Sequence, residues 1–206
     1  MDDSTLEYYT AHWDELIPRY ESADMSDLHS LLVSGFSPGS RILELGCGSG
    51  REAAFMLAKG FDVTAADGVQ EMIDAAQRCH PELSGRLCRI RLPGDLDSLF
   101  GPYDGVYSIA TLMHLTRPAI KDVFLRIRDI LNSRGRLFFS VPFKRHDVKD
   151  DEFDIKGRRF TGMTMPDWAE ICRTTGFDII ESSRASDGLG RPEIGWLNCL
   201  AQCAKK

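Results

Sequence analysis

The sequence predicts a doubly wound α/β fold, with helices on both faces of a mainly parallel sheet. Three observations lead to it. Short apolar runs alternate with helical stretches between residues 41 and 141, the pattern of successive βαβ units. The first of these runs enters a glycine-rich loop that opens a helix. The chain's 206 residues are 43% hydrophobic and 27% charged, enough for a full core without disulfide or metal support. One domain spanning 1–206 is expected, with additions to a central unit.

The elements follow in order. Leu6, Tyr9, Trp13, Leu16 and Ile17 recur at three- and four-residue spacing, which makes one apolar helical face. Breaks are expected at Pro18 and around 22–24. Leu28, Leu31 and Leu32 give a second helix, so residues 1–35 read as a helical cap, and 34–39 read as a turn. Residues 38–142 form the expected core unit. Within it, Arg41–Leu45 is a strand, Gly46–Gly50 a loop, and Arg51–Lys59 a helix stopped by Gly60. Phe61–Ala66 is a second strand and Val69–Arg78 a helix. Arg86–Leu92 is a third strand, interrupted by three arginines. Tyr103–Ser108 is a fourth. Arg117–Leu131 is a helix with Pro118 in its first turn and Gly135 beyond its end. Arg136–Val141 is a fifth strand, closed by Pro142. Residues 143–165 are charged and aperiodic, and are expected as a lid loop. Its bases, Lys144, Arg145, His146, Lys149, Lys156, Arg158 and Arg159, stand against Asp147, Asp150, Asp151, Glu152 and Asp154. The last part, 166–206, reads as a helix (Pro166–Thr175) and two strands (Phe177–Ser183 and Trp196–Cys203) that pair as a hairpin at the sheet edge.

Charge and cysteine usage narrow the function. The net charge is -6, and residues 1–30 hold eight acids against Arg19 alone. An acidic chain lacks the cations that displace counterions from a phosphate backbone, so nucleic acid is not an expected partner. The acidic segment has two readings: a solvated helix face, or a field that attracts a cationic ligand. The six cysteines show no CxxC pair and no zinc spacing, so no metal is expected. The start, MDDSTLEYYT, has no apolar region of the signal-peptide kind, and no run approaches 18 apolar residues. A reduced, cytoplasmic protein without a membrane span is expected.

The strongest motif is Ile42-Leu43-Glu44-Leu45-Gly46-Cys47-Gly48-Ser49-Gly50. A buried strand entering alternating glycines lets backbone approach a ligand and frees N–H groups at a helix N-terminus. Asp67 ends the second strand, 17 residues beyond Gly50, where a carboxylate accepts from ribose hydroxyls. A dinucleotide fingerprint would need glycine at position 51, which holds Arg51. A carboxylate at Glu44 is a poor neighbour for a pyrophosphate and suits a ligand carrying an ammonium and a sulfonium.

These residues, with Tyr103-Asp104-Gly105-Val106-Tyr107-Ser108 and then Leu112-Met113-His114, resemble class I S-adenosylmethionine-dependent methyltransferases. The likeness is to the small bacterial branch akin to quinone-biosynthesis and tellurite-resistance methyltransferases. It covers roughly residues 38–142 well and the flanks weakly. It implies a Rossmann-like sheet of seven strands, the last antiparallel, and S-adenosylmethionine as cofactor. It further implies that Gly46, Cys47 and Gly48 line the methionine part and that Glu44 orients its amino group. Asp67 would bind ribose, with Gly68, Val69 and Met72 beside the adenosine. Asp95 and Leu96 would meet the adenine edge, and Ile109 and Ala110 would flank the methyl donor. The residues after the acid, Gly68-Val69, depart from the small polar residue and proline usual there.

Single residues keep two readings each. Asp95 fits an N-cap as well as an adenine contact. Arg51 either holds the cofactor carboxylate or lies on a helix surface. Tyr9 and Trp13 either cover the cofactor or pack in the core. His114 is the one plausible catalytic base near the methyl donor, and an imidazole in a family motif also fits a structural role. His146 and the lid bases fit an anionic acceptor or a solvated loop. The expected reaction is methyl transfer to a small-molecule O, N, S or activated carbon by in-line displacement, in a monomer or homodimer. The alternatives are an RNA or protein methyltransferase and a non-catalytic S-adenosylmethionine-binding protein. Ile109-Ala110-Thr111-Leu112 stands where a base-methylating enzyme would carry an Asn-Pro-Pro-Tyr-like clamp.

Overall fold

A computed structural model describes residues 1–145, 147–148 and 152–204. Seven strands form one sheet: β1 (Arg41–Leu45), β2 (Asp62–Asp67), β3 (Leu87–Arg89), β4 (Tyr103–Ile109), β5 (Leu131–Lys144), β6 (Phe177–Ser186) and β7 (Gly195–Cys203). Their spatial order is β3-β2-β1-β4-β5-β7-β6. Strands β1 to β5 pair in parallel, and β7 runs antiparallel to both β5 and β6. The expected hairpin is therefore present, with β7 inside and β6 at the edge. From β1 the chain builds outward to β3, then returns to place β4 on β1's other side. That reversal opens a crevice beyond the carboxyl ends of β1 and β4, where open α/β sheets bind ligands.

Alternation along each strand divides the core. Leu43, Leu45, Val106, Leu137 and Phe139 face one side, packed with Trp168 and Phe124. Ile42, Tyr107 and Phe138 face the other, packed with Leu32 and Phe36. Helices α5 (Arg117–Ile130) and α6 (Met165–Thr175) cover the first side, and α2 (Ser26–Gly35) and α3 (Arg51–Ala58) the second. In α5 the buried Ile120, Val123, Phe124 and Ile127 keep the three-and-four spacing of a one-faced helix. Thr164 caps α6 in a reciprocal capping box with Asp167, and Gly176 ends it at φ +85. Helix α1 (Asp3–Glu21) lies on α4 (Gln70–Cys79), with Tyr8, Leu16 and Ile17 against Val69, Met72 and Ala75.

Several boundaries differ from expectation, each for a local reason. Helix α1 runs through Pro18 and bends instead at His12 (φ -123, ψ 15), whose Nδ1 reaches the Tyr8 carbonyl at 2.8 Å. The side chain takes the carbonyl that a helical N–H would use. Strand β3 stops at Arg89 because the Asp95 carboxylate captures the Arg91 N–H at 2.9 Å. Ile90 and Leu92 turn inward beyond it, 5% and 6% exposed. Strand β5 starts directly after α5, with Leu131 already paired to Tyr103. Gly135 therefore is no helix stop; a Cβ there would lie 2.9 Å from the Leu131 Cβ. Pro142 does not close β5. It pairs opposite Trp196, and the register shifts just after it, an irregularity that accommodates the missing N–H.

Candidate active site

The glycine loop leaves β1 at the reversal point. The Gly46 and Cys47 N–H groups both donate to the Ala66 carbonyl, at 2.7 and 2.9 Å, which ties the loop to β2. Gly46 (φ +82) has no room for a side chain, since a Cβ would fall 2.0 Å from the Thr111 Oγ1. Gly50 is packed less tightly, where a Cβ would fall 2.9 Å from Leu83 Cδ1 and 3.0 Å from Ala76 Cβ. At Gly48 a Cβ would meet only the Tyr20 ring, at 3.5 Å. Gly46 and Gly50 thus serve close packing, and Gly48 is the point of open backbone. Its N–H donates to Asp67 Oδ2 at 3.0 Å, while Asp67 Oδ1 accepts from the Val69 N–H at 3.0 Å. Burial raises the Asp67 carboxyl above its ordinary range, against the pull of these backbone N–H groups.

Glu44 is 1% exposed and accepts from the Tyr107 hydroxyl at 3.2 Å. Burial, and then the neighbouring Glu52, push its carboxyl well above the ordinary range. Burial would raise Glu52 too, but hydrogen bonds from His29 at 3.4 Å and Arg51 at 2.7 Å carry it below its usual value. Of the two, Glu52 is the carboxyl whose partners favour the anion, while Glu44 is pushed toward its neutral form. Arg51 is spent between Glu52 and the Tyr20 carbonyl, so it clasps α3 to the end of α1.

The loop, Glu44, Asp67, Gly68, Val69, Met72, Ile109 and Ala110 line one cavity of about 480 Å³. Ala110 takes φ +54 directly after β4, its N–H bonded to the Ser140 carbonyl at 2.9 Å. Helix α1 roofs the cavity with Leu6, Tyr9, Leu16 and Tyr20. The lid contributes Arg145, Arg158 and Phe160. Arg158 grips the buried Asp154 at 2.6 and 2.9 Å, and both arginines lie over the Phe160 ring. His146, Lys149, Asp150 and Asp151 lie outside the described residues.

His114 is buried at the cavity wall between two partners. Its Nδ1 lies 2.6 Å from the Arg159 carbonyl, which can only accept, so Nδ1 carries the proton. Nε2, 2.8 Å from the Tyr9 hydroxyl, is then the acceptor. Burial, only partly offset by the Arg159 carbonyl, lowers its pKa to about 4. It is a neutral imidazole with both nitrogens engaged.

Three expected residues stand elsewhere. Asp95 is exposed and holds the Arg91 N–H, and Leu96 is packed in the core with Tyr103 and Leu115; neither lines the cavity. Trp13 does not line it either. The bend at His12 is followed by Trp13 lying under Arg78, 5.1 Å from ring centre to guanidinium. Tyr20 does line it and was not expected. Its signal was present, since eleven residues from Tyr9 is three helical turns. Thr111, Ser140, Arg158, Phe160 and Asn198 line it as well, and only the fold brings them there. Among the described residues, no group of three or more His, Cys, Asp or Glu side chains is placed to hold a metal ion. No helix among them is long and apolar enough to cross a membrane.

A family described as "Methyltransferase domain" matches residues 17–182. A protein-L-isoaspartate O-methyltransferase of Gloeobacter violaceus is 29% identical over 115 residues, covering 55% of this chain and 52% of its own. A ubiquinone biosynthesis O-methyltransferase of Xylella fastidiosa is 33% identical over 106 residues, covering 50% and 42%. The chain thus spans about half the length of the curated relatives it matches. In fold it is similar to a crystal structure of Burkholderia thailandensis 1,6-didemethyltoxoflavin-N1-methyltransferase with bound 1,6-didemethyltoxoflavin and S-adenosylhomocysteine. That likeness has TM-score 0.76 and 23% identity, over 98% of this chain and 88% of that one.

Proposed function

From its membership of the class I S-adenosylmethionine-dependent methyltransferases, the family to which this chain belongs, we propose that it methylates a small-molecule acceptor. The observation that carries this reading is the single cavity shared by the glycine loop, the Glu44–Glu52 pair, Asp67 and the end of β4. The residues fit the cofactor. The two buried carboxyls of Glu44 and Glu52 suit an ammonium and a sulfonium. Gly48 leaves the backbone open. Asp67 accepts the Gly48 N–H at Oδ2 and the Val69 N–H at Oδ1 and keeps lone pairs for ribose hydroxyls. In this reading Glu44 holds the amino group, Gly46 to Gly48 border the methionine part, and Met72 and Val69 flank the adenosine.

Bound S-adenosylmethionine supplies a methyl group already activated by its sulfonium charge. The chain's own work is then to position the acceptor and exclude water. Holding two reactants in line contributes roughly 7–11 kcal/mol. Tyr9, Tyr20 and Phe160 close the cavity over the reacting centre. His114 takes a positioning role: it fixes Tyr9 at the roof, and its engaged nitrogens leave it no free lone pair for an acceptor proton. A roofed cavity supports a small acceptor over a polymer, as does the relative named for ubiquinone biosynthesis. Buried thiols at Cys47, Cys172 and Cys199 support work in the reducing cytoplasm, as a monomer or homodimer.

Thermal melting with S-adenosylhomocysteine, S-adenosylmethionine and NADH in parallel tests the reading. At a thousandfold excess over Kd a ligand stabilises by about 4 kcal/mol, roughly 8–16 °C for a chain of this length. A rise with the first two and none with NADH is expected. A flat response to all three, in ligand-free protein, would sink it. Asp67→Ala should weaken S-adenosylhomocysteine binding more than tenfold, and an unchanged affinity would remove the ribose assignment.

A further inference from the structure

The cavity extends past the end of β4 across β5 and β7, toward the face covered by α2. Its floor there is polar. Ser140 of β5 and Asn198 of β7 are Cα partners on the same side of the sheet, 3% and 4% exposed. Asn198 Oδ1 is, among the described residues, the one buried side-chain oxygen or nitrogen without a hydrogen-bond partner. A buried amide oxygen without a partner destabilises the protein that carries it, unless a ligand supplies the donor. Trp196, two residues before Asn198 and so on the same face, also lines the cavity. Its indole N–H is anchored on Asp187 at 3.0 Å, and Asp187 is itself gripped by Arg191 at 2.7 and 2.8 Å. The ring is thus a fixed flat wall beside the unpartnered amide.

We propose that Asn198, beside the Trp196 wall, anchors the methyl acceptor, and that the acceptor is a ring compound with an N–H or O–H at the end remote from its methylated atom. This inference rests on the methyl-transfer reading above. The amide turns about its Cβ–Cγ bond to present its oxygen to that donor. The register sets the acceptor's size. Ile109 pairs with Ser140, and Ser140 with Asn198, so two strand spacings separate the anchor from the end of β4. That is roughly 10 Å, the reach of a two-ring molecule. The unpartnered atom of Asn198 is its amide oxygen, which accepts, so it selects an N–H or O–H donor.

The test uses 2-naphthol and 2-methoxynaphthalene, which share their rings and differ in the O–H donor. Equilibrium dialysis against the full chain saturated with S-adenosylhomocysteine gives both affinities. 2-Naphthol is expected to bind about tenfold tighter. Asn198→Leu should bring the ratio to about one, leave S-adenosylhomocysteine affinity unchanged, and hold or raise the melting temperature by removing the unpartnered oxygen. A merely structural asparagine would lose stability on the same change. Asn198→Ala, read in the same way, replaces it if the leucine variant does not fold. Equal affinities in the wild type, no binding of 2-naphthol, or a ratio unchanged in the variants would overturn the anchor while leaving the cofactor reading intact. Failure of the wild type to bind S-adenosylhomocysteine would overturn both.

Discussion

His114 shows how far a residue's chemistry depends on its neighbours. In sequence it is a titratable group near neutrality; in the fold it is a buried neutral ring with both nitrogens engaged. Its pKa falls from 6.5 to about 4, so the unfolded chain takes up this proton first as pH drops. The stabilisation is complete above pH 6.5 and is lost toward pH 4, about 3 kcal/mol in all. Glu44 and Asp67 pull the other way, since their raised carboxyls keep protons in the folded state to higher pH. The difference between wild type and His114→Asn therefore isolates the effect. The variant's melting temperature should fall less between pH 7 and pH 4.5, and parallel curves would contradict the neutral assignment. Gly46 is the second case. Gly46→Ala meets both a positive φ and Thr111, which costs at least about 2 kcal/mol, or roughly 4–8 °C of melting temperature. Gly94→Ala, with nothing within 4 Å and no positive φ, should change stability by less than about 0.5 kcal/mol. Glu44 and Asp67 were readable because the loop between them has a recognisable spacing. The Glu52 and His29 contribution was not, because α2 meets α3 only in the folded chain.

Among elements, those bounded by local chemistry were read well and those bounded by partners were not. Thr164 and Asp167 announce the start of α6, and Pro118 sits in the first turn of α5. Their caps are also testable. Thr164→Ala removes a reciprocal cap and should cost about 1 kcal/mol, seen as roughly 2–4 °C in a melt. Thr116→Ala at α5, whose hydroxyl oxygen accepts from the Ala119 N–H at 3.4 Å with no side-chain acceptor at Ala119 to return the bond, should cost less. Equal losses would show that cap geometry does not set these helix starts. The ends of β3 and β5 and the bend of α1 had no such local mark. A bond or pairing that periodicity and turn chemistry do not announce decided each: Asp95 on the Arg91 N–H, Trp196 paired opposite Pro142, and His12 on the Tyr8 carbonyl.

At the scale of the whole molecule, cap and lid are one clasp over the cavity. The Arg159 N–H donates to Thr5 Oγ1 at 2.9 Å, the Thr161 N–H to the Met113 carbonyl at 2.8 Å, and Lys156 Nζ to the Tyr8 hydroxyl at 3.3 Å. Thr5 is fully buried, so Thr5→Val leaves the Arg159 N–H unpaired, at a cost of about 1–3 kcal/mol. Amide exchange should quicken across residues 152–161 while β1 and β4 stay protected; uniform change along the chain would mean that the clasp does not open on its own. The amino-acid sequence by itself determined the parallel α/β sheet, the glycine loop and its acids, and the character of the ligand they suit, because periodicity, turn chemistry and motif spacing act over a few residues. Only the tertiary structure decided the roof, the silence of His114, the absence of Asp95 and Leu96 from the cavity, and the unpartnered Asn198. Each of those depends on segments far apart in the chain meeting in a buried space, where water no longer satisfies their polar groups and the partner that arrives defines the chemistry.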